Sequence, residues 1–454
     1  MRLSARSAQW NPLWLAVPGL LLLFVFFVFP VARMLVLAVQ DPDTGALGIS
    51  QFERMLNSQL YMRVLWVTFR LAFFTTLLSL LIAYPLAYWI ATLPARWRGI
   101  MLFLVLVPLW TSYLVKSFSW MLILGRTGIL NNSLIGLGLI DQPLALLRTE
   151  GSVLVGMVHS MLPIAIITMI PVMEKVDRRL LSAAETLGSS SAEAFWRVFF
   201  PLSLPGVAAA GLLVFVYSLG FFIVPALLGG PAQSGLAQVI IAQIQQMLNW
   251  HFASALATVL LVTALICCVI YNRALGVTGG QRPGGRPDRM SRQLGRKVLS
   301  LLAGASHFIT RGRNVGGVLG WYSALVLIFL ILPTLIILPI GFTSSAFLEF
   351  PPPGYSLRWF QAVLDSPVWV DAITRTLYVA AIVAVVATVV GGMVALALAR
   401  VDSRLNGAIY ALFLAPLIVP RVVTALGMFY LFAQIGLVAT DLGLIIGHTV
   451  IVLP

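Results

Sequence analysis

The sequence predicts an all-α protein, a polytopic bundle of transmembrane helices, and three observations predict it. Hydrophobic residues fill 60% of the 454 positions and charged residues only 10%, with a mean hydropathy of +0.99, whereas about a quarter of a soluble domain is charged. The apolar residues gather into runs long enough to cross hydrocarbon as helix, which takes about 20 residues. Lysine and arginine are sorted between alternate loops. Long continuous runs also exclude an outer-membrane barrel, whose strands are short alternating segments.

The first run, 13–39, is too long for a signal-peptide core and lacks a small-residue cleavage site, so it is a retained helix. Runs at 64–91, 100–124, 153–173, 207–228 and 253–271 complete a first set of six spans. A second set begins with 318–340, 377–399 and 408–432; the last run, 442–454, is too short to cross. Arg2, Arg6, Arg96, Arg98, Lys175, Arg178, Arg179, Arg197, Arg400, Arg404 and the segment 273–313 fall on one side. The opposite loops hold only Arg54, Arg63, Arg126, Arg148 and Arg358. By the positive-inside rule the first side, with the amino terminus, is cytoplasmic. This sorting also accounts for the net charge of +14 without a nucleic-acid partner. Cys267 and Cys268 are adjacent in a span with no third cysteine in the chain, so they are read as structural.

The chain matches itself at an offset of 308 positions, pairing Phe52 with Phe360, Thr68 with Thr376, Arg96 with Arg404, Pro108 with Pro416 and Gly128 with Gly436. Six spans before the second copy give both copies the same orientation, so the repeats are parallel. Three segments follow: a first half over 1–275, a basic cytoplasmic linker over 276–317 rich in Gly, Pro and Arg, and an incomplete second half over 318–454. "GHTVIVLP" corresponds to the stretch around His159, which places Pro454 near the counterpart of Pro163. The 454 residues are therefore expected to be the amino-terminal portion of a longer two-half protein.

One cytoplasmic stretch, 182–206, reads unlike the rest: "SAAETLGSSSAEAFWRVFFPLSLPG". Ser182 followed by Glu185 is a capping-box pattern that starts a helix. Gly188 supplies a positive φ to end it, and Ser189, Ser190 or Ser191 caps the next helix. Pro201 and Pro205 are expected to limit that second helix before the chain re-enters the bilayer. Two short helices cannot bury Ala183, Ala184, Phe195, Val198 and Phe199 alone, so the elbow should dock on something.

The elbow resembles the EAA loop of binding-protein-dependent ABC importer permeases. Ala183, Ala184, Gly188, Phe195, Val198 and Pro201 occupy the places of that pattern, while Ser182 stands where the family carries Glu and Glu185 lies three residues on. "VPLWTSYLVKSFSWMLILGRTGILN", "YSLGFFIVPALLGGP" and "LNWHFASALATVLL" are similar to the spermidine/putrescine type of permease, and the second copy to its partner permease. Arg421 departs from the acidic residue common there. The resemblance implies two type I importer permease halves fused in one chain, in the bacterial inner membrane. It implies cytoplasmic ATPase subunits acting as a dimer, with ATP and Mg bound on them rather than on this chain, and an external solute-binding protein. Consistently, the chain has no G-x-x-x-x-G-K-[ST] phosphate loop; its lysines are Lys116, Lys175 and Lys297.

Charge within spans points to function. Lys116 and Arg421 are the deepest, and no Asp or Glu lies in a span interior. A cationic solute would then be met by aromatic faces, for which Trp110, Tyr113, Trp120, Tyr217, Phe221 and Phe222 are candidates beside Lys116 and Arg421. An aromatic in a span is more often a packing residue or an interface anchor. His159 and His448 recur at similar places in the two copies and are read as interhelical hydrogen bonders. The solute is expected to be a polyamine; 2-aminoethylphosphonate, thiamine or ferric ion are alternatives within the class. An ion-driven secondary transporter would need membrane carboxylates that the spans lack. Neither a catalytic triad nor a metal cluster is legible, so no enzymatic chemistry is expected.

Overall fold

The computed structural model describes residues 12–275, 315–347, 349–401 and 403–454; the expected linker lies, up to residue 314, outside them. In chain order the helices are α1 (Pro12–Ala38), α2 (Ser50–Leu56), α3 (Gln59–Thr92), α4 (Ala95–Trp110), α5 (Tyr113–Leu124), α6 (Ile129–Gly136) and α7 (Glu150–Glu174). Next come α8 (Arg179–Thr186), α9 (Ser191–Leu219), α10 (Ile223–Leu228), α11 (Leu236–Gln245) and α12 (Trp250–Leu275). The remainder are α13 (Val315–Gly341), α14 (Arg358–Asp365), α15 (Pro367–Arg400), α16 (Asn406–Ile418), α17 (Arg421–Ile435) and α18 (Asp441–Val452). Among the described residues, seven helices are long and apolar enough to cross a membrane, or nine if each of two bent pairs is one span.

The bent pairs correct the sequence reading. The runs 100–124 and 408–432 are not single helices: α4 and α5 meet at 92°, and α16 and α17 at 98°. The breaks fall at the same place in the two copies. In the first, Ser112 is extended and its side chain accepts a hydrogen bond from the Leu114 backbone amide, capping α5. In the second, Val419 precedes Pro420, and a residue before proline is pushed out of the helical region, here to ψ 127. Two local devices thus make one break.

The 308-residue offset recurs in the elements themselves. It carries both ends of α3 onto those of α15, the end of α4 onto that of α16, and the start of α5 onto that of α17. It does not carry His159 onto His448. Thr149 and Thr440 cap α7 and α18, and aligning them sets Gly447 opposite Gly156 and His448 opposite Met157. His159 is fully buried, with Nε2 3.0 Å from the Leu330 carbonyl of α13. His448 is exposed.

The chain forms two compact units, and they cut across chain order. One comprises residues 1–63, 236–265 and 357–454, the other 64–235 and 266–356. In the first, α1 packs on α15, α16 and α17 of the second copy, with the Phe26 and Phe432 rings 6.3 Å apart. In the other, α13, the first long helix of the second copy, packs on α4, α5 and α7 of the first. Each unit takes its leading helix from the other copy.

Close helix approach in lipid depends on small residues. Gly427 of α17 lies where a Cβ would come 3.1 Å from the Pro30 carbonyl of α1. Backbone cannot rotate away as a side chain can, so Gly427→Leu is expected to cost about 1–3 kcal/mol or more by overpacking. The check is a lower thermal midpoint for the purified protein; an unchanged midpoint would mean that α1 and α17 are not in register here.

Candidate functional site: an exposed elbow and a broken helix

The elbow begins earlier than expected. α8 starts at Arg179, where the Asp177 carboxylate accepts from the Arg179 amide at 2.9 Å, so Ser182 and Glu185 lie inside the helix rather than forming a cap. The capping box is at the second helix instead: Ser190 Oγ accepts from the Glu193 amide at 3.3 Å, and Glu193 accepts from the Ser190 amide at 3.1 Å. Between them Gly188 has the positive φ that the sequence predicts, +92°. The Ser189 amide donates to Ala184 and the Gly188 amide to Glu185, the paired bonds of a Schellman stop.

Pro201 and Pro205 do not limit the second helix. A π-helical turn at Phe195–Phe199 precedes Pro201, absorbing the missing proline donor. α9 then runs unbroken from Ser191 to Leu219, and Pro205 lies within it. The elbow is therefore a direct extension of a spanning helix, and the run expected at 207–228 divides into the end of α9 and the short α10.

Aromatic packing fixes that extension to α3. Tyr88 sits edge-on to Phe195 at 5.1 Å and to Phe199 at 4.8 Å, while Tyr84 lies 5.6 Å from Phe200. The Tyr84 hydroxyl is 2.9 Å from Ser203 Oγ. Arg178, the residue before α8, donates to the Ala91 carbonyl at the foot of α3 at 2.8 Å. Arg98 pairs with Glu174 at 3.1 Å, tying α4 to the end of α7. The sequence reading missed Tyr84, Tyr88 and Arg178 as partners of the elbow, and Glu174 as the partner of Arg98. The four-residue spacing of the two tyrosines was the available signal, since it sets both rings on one helix face.

Phe195 and Phe199 are thus spent internally, and α8 is what the elbow presents. It has no buried residue. Leu180, Ala183, Ala184 and Leu187 follow the i, i+3, i+4, i+7 pattern of an apolar stripe, with Leu180 47% and Leu187 89% exposed.

The second feature is the break between α4 and α5. Ending α4 at Trp110 leaves carbonyls of its last turn without helical partners. Lys116, 1% exposed, turns back and donates from Nζ to the Pro108 carbonyl at 3.0 Å. Its ammonium also lies 4.3 Å from the centre of the Tyr113 ring, and Tyr113 is edge-on to Phe221 at 5.0 Å. The lysine therefore serves as a cationic cap on a helix carboxyl end, a placement that the helix dipole favours.

Of the other expected pathway residues, Tyr217 packs with Tyr113 and Phe221 against one buried cluster. Trp120 is buried beside His159 and Phe329, at 5.7 and 5.4 Å. Trp110 does not join them: it is 68% exposed and packs on Phe103 at 6.3 Å. Phe222 is 38% exposed. Arg421 opens α17, in the other unit.

A bundle with paired broken spans, and a helix-turn-helix elbow continuous with the unbroken span α9, has the architecture of a membrane permease. Comparison with known proteins agrees. Residues 10–275 match the family described as binding-protein-dependent transport system inner membrane component, and the chain belongs to that family. It is 33% identical over 275 residues to the spermidine/putrescine transport system permease protein PotB of Haemophilus influenzae, covering 59% of this chain and 90% of that one. Against PotB of Escherichia coli the identity is 34% over 226 residues, or 50% of this chain and 82% of the relative. In fold it is similar to the crystal structure of a bacterial ABC transporter involved in import of the acidic polysaccharide alginate. That likeness has a TM-score of 0.50 at 18% identity and covers 57% of this chain and 92% of the other. The protein is a permease component of an ABC importer, with the type I fold, in the inner membrane.

Proposed function

We propose that this permease moves a polyamine into the cytoplasm, driven by ATP hydrolysis on separate ATPase subunits that grip the α8 stripe. The observation that carries the energetic half is the unburied stripe of Leu180, Ala183, Ala184 and Leu187, exposed at all but the half-buried Ala184, since an amphipathic helix with an unburied apolar face fits a hydrophobic groove on a partner. The sorting of Lys and Arg by loop supports placing this end, and the amino terminus, in the cytoplasm. The residues singled out by the EAA resemblance then divide their work. Ser182, Ala183, Ala184 and Glu185 form the docking helix, Gly188 sets its angle, and Phe195, Val198 and Pro201 join it to α9. ATP and Mg are held by the ATPase dimer, and an external binding protein delivers solute.

The polyamine assignment rests on what the PotB relatives are named for. Tyr217 and Phe221 beside the α4–α5 break offer ring faces of the kind that attract ammonium groups, while the Tyr113 ring already meets the Lys116 ammonium. Broken helices commonly mark transport sites. The matched registers of the two copies support reading them as two permease halves in one chain.

In proteoliposomes containing the permease, its ATPase and its binding protein, labelled spermidine or putrescine should accumulate only with ATP. Excess unlabelled spermidine should compete, and 2-aminoethylphosphonate should not. Accumulation of the phosphonate in place of the polyamine would overturn the solute assignment. Leu187→Glu should remove most of the ATPase from the purified complex, because a buried carboxylate would face the groove. Retention of full ATPase content by that variant would overturn the docking assignment.

A further inference from the structure

Two amide side chains in the compact unit that holds residues 1–63 and 236–265 are buried with an acceptor unused. Gln51 of α2 is 7% exposed and Gln243 of α11 is 2% exposed. The Oε1 atom of each has no hydrogen-bond partner among the described residues. Orphaned acceptors at that depth cost stability, so a fold that keeps two of them calls for a donor. By the sidedness of the proposed function, both lie toward the outer face of the membrane.

The surroundings are aromatic. Gln243 Nε2 donates to the Tyr61 hydroxyl at 3.5 Å, and Tyr61 of α3 lies edge-to-face with Phe252 of α12, ring centres 4.7 Å apart. Over the Phe252 ring, 4.6 Å from its centre, sits the Arg54 guanidinium. Gln51 is one turn before Arg54 on α2, so the two share a helix face, together with the buried Met55. Phe252 is fully buried, whereas Arg54 is exposed. A flexible side chain thus covers the ring, and its charge is of the kind that a ring face attracts.

We infer that this is a binding site for an alkylammonium group of the solute, which replaces the Arg54 guanidinium on Phe252 and donates to the Gln51 and Gln243 carbonyls. An ammonium brings a charge for the ring and enough N–H donors for both amides. A neutral ligand would leave the ring face unused, and an anion would leave the acceptors unpaired. Arg54 then competes with the solute and keeps its hold weak. That the amine is a polyamine rests on the proposed function; the cation chemistry does not.

The test measures equilibrium binding of labelled spermidine to the assembled transporter in nanodiscs, without ATP or binding protein. Arg54→Gln should tighten binding about three- to thirtyfold, because it uncovers the ring. Arg54→Lys should not, since an ammonium still covers it. Arg63→Gln removes an equal charge from the same unit without uncovering a ring, and should change binding by less than about twofold. Gln51→Met with Gln243→Met should weaken binding about tenfold or more while the thermal midpoint holds or rises, because the orphaned acceptors are gone. Amides that serve packing alone would give a lower midpoint with unchanged binding, and that result would overturn the inference. So would equal binding by the Arg54→Gln and Arg54→Lys variants, a comparison that stays informative should the double variant fold poorly. Stronger displacement of spermidine by potassium than by methylammonium at equal concentration would overturn the ammonium assignment in favour of an inorganic cation. Binding is read without a transport step. Spermidine uptake with no gain for Arg54→Gln therefore refutes this site and leaves the proposed function standing, and a gain without uptake does the reverse.

Discussion

Gly188→Val is expected to lower ATP-driven uptake by the assembled transporter about five- to thirty-fold, while Gly188→Asn retains most of it. The backbone there has φ +92°, yet an added Cβ would meet nothing within 4 Å. Space is therefore not the constraint; conformation is. A left-handed residue costs an ordinary L side chain about 1–2 kcal/mol, and asparagine is among the residues that tolerate it. Most of a transmembrane bundle would absorb such a sum unnoticed. The elbow cannot, because α8 buries none of its residues and its angle to α9 depends on the two hydrogen bonds of the stop. The strain should re-aim α8 without unfolding the spans. Uptake in proteoliposomes, with thermal unfolding as a control, checks it: equal uptake by the valine and asparagine variants would show that the turn does not set coupling.

Lys116→Met is expected to destabilise the protein by about 1–3 kcal/mol and to leave the ranking of solutes unchanged. Depth in a span marks an ionisable residue as a candidate for the transport path, and the sequence reading placed Lys116 there. Its ammonium instead completes the end of α4, 3.0 Å from the Pro108 carbonyl and over the ring of Tyr113. Methionine fills the same volume but donates no hydrogen bond, so the carbonyl becomes a buried acceptor lacking this donor. The measurement is the thermal midpoint together with competition between spermidine and putrescine. A normal midpoint with altered competition would return the lysine to the pathway. The second copy carries Thr424 at the equivalent position, 2% exposed, so the lysine itself is not repeated there.

These residues show how far the sequence was legible. Hydropathy located the spans, because water exclusion acts on composition without regard to neighbours. The positive φ of Gly188 and the cap at Ser190 are local hydrogen-bond chemistry, written within four or five residues. Ser182 misled for the same reason: its spacing to Glu185 satisfies the capping pattern, but the helix had already begun at Arg179, behind the Asp177 carboxylate. The π turn before Pro201 was not legible. Proline on its own argues for a stop, and only packing against Tyr84 and Tyr88 makes continuation the better outcome.

The one-dimensional pattern determined the class of fold, the 308-residue recurrence of helix ends and the position of the elbow, since each depends on periodicity or short-range turn chemistry. Tertiary structure alone decided which side chains the elbow keeps for itself and which it presents, where Lys116 turns, and that each compact unit takes its first long helix from the other copy. Those outcomes rest on contacts between residues scores to hundreds of positions apart, or on backbone breaks that aim a side chain. No local preference encodes them.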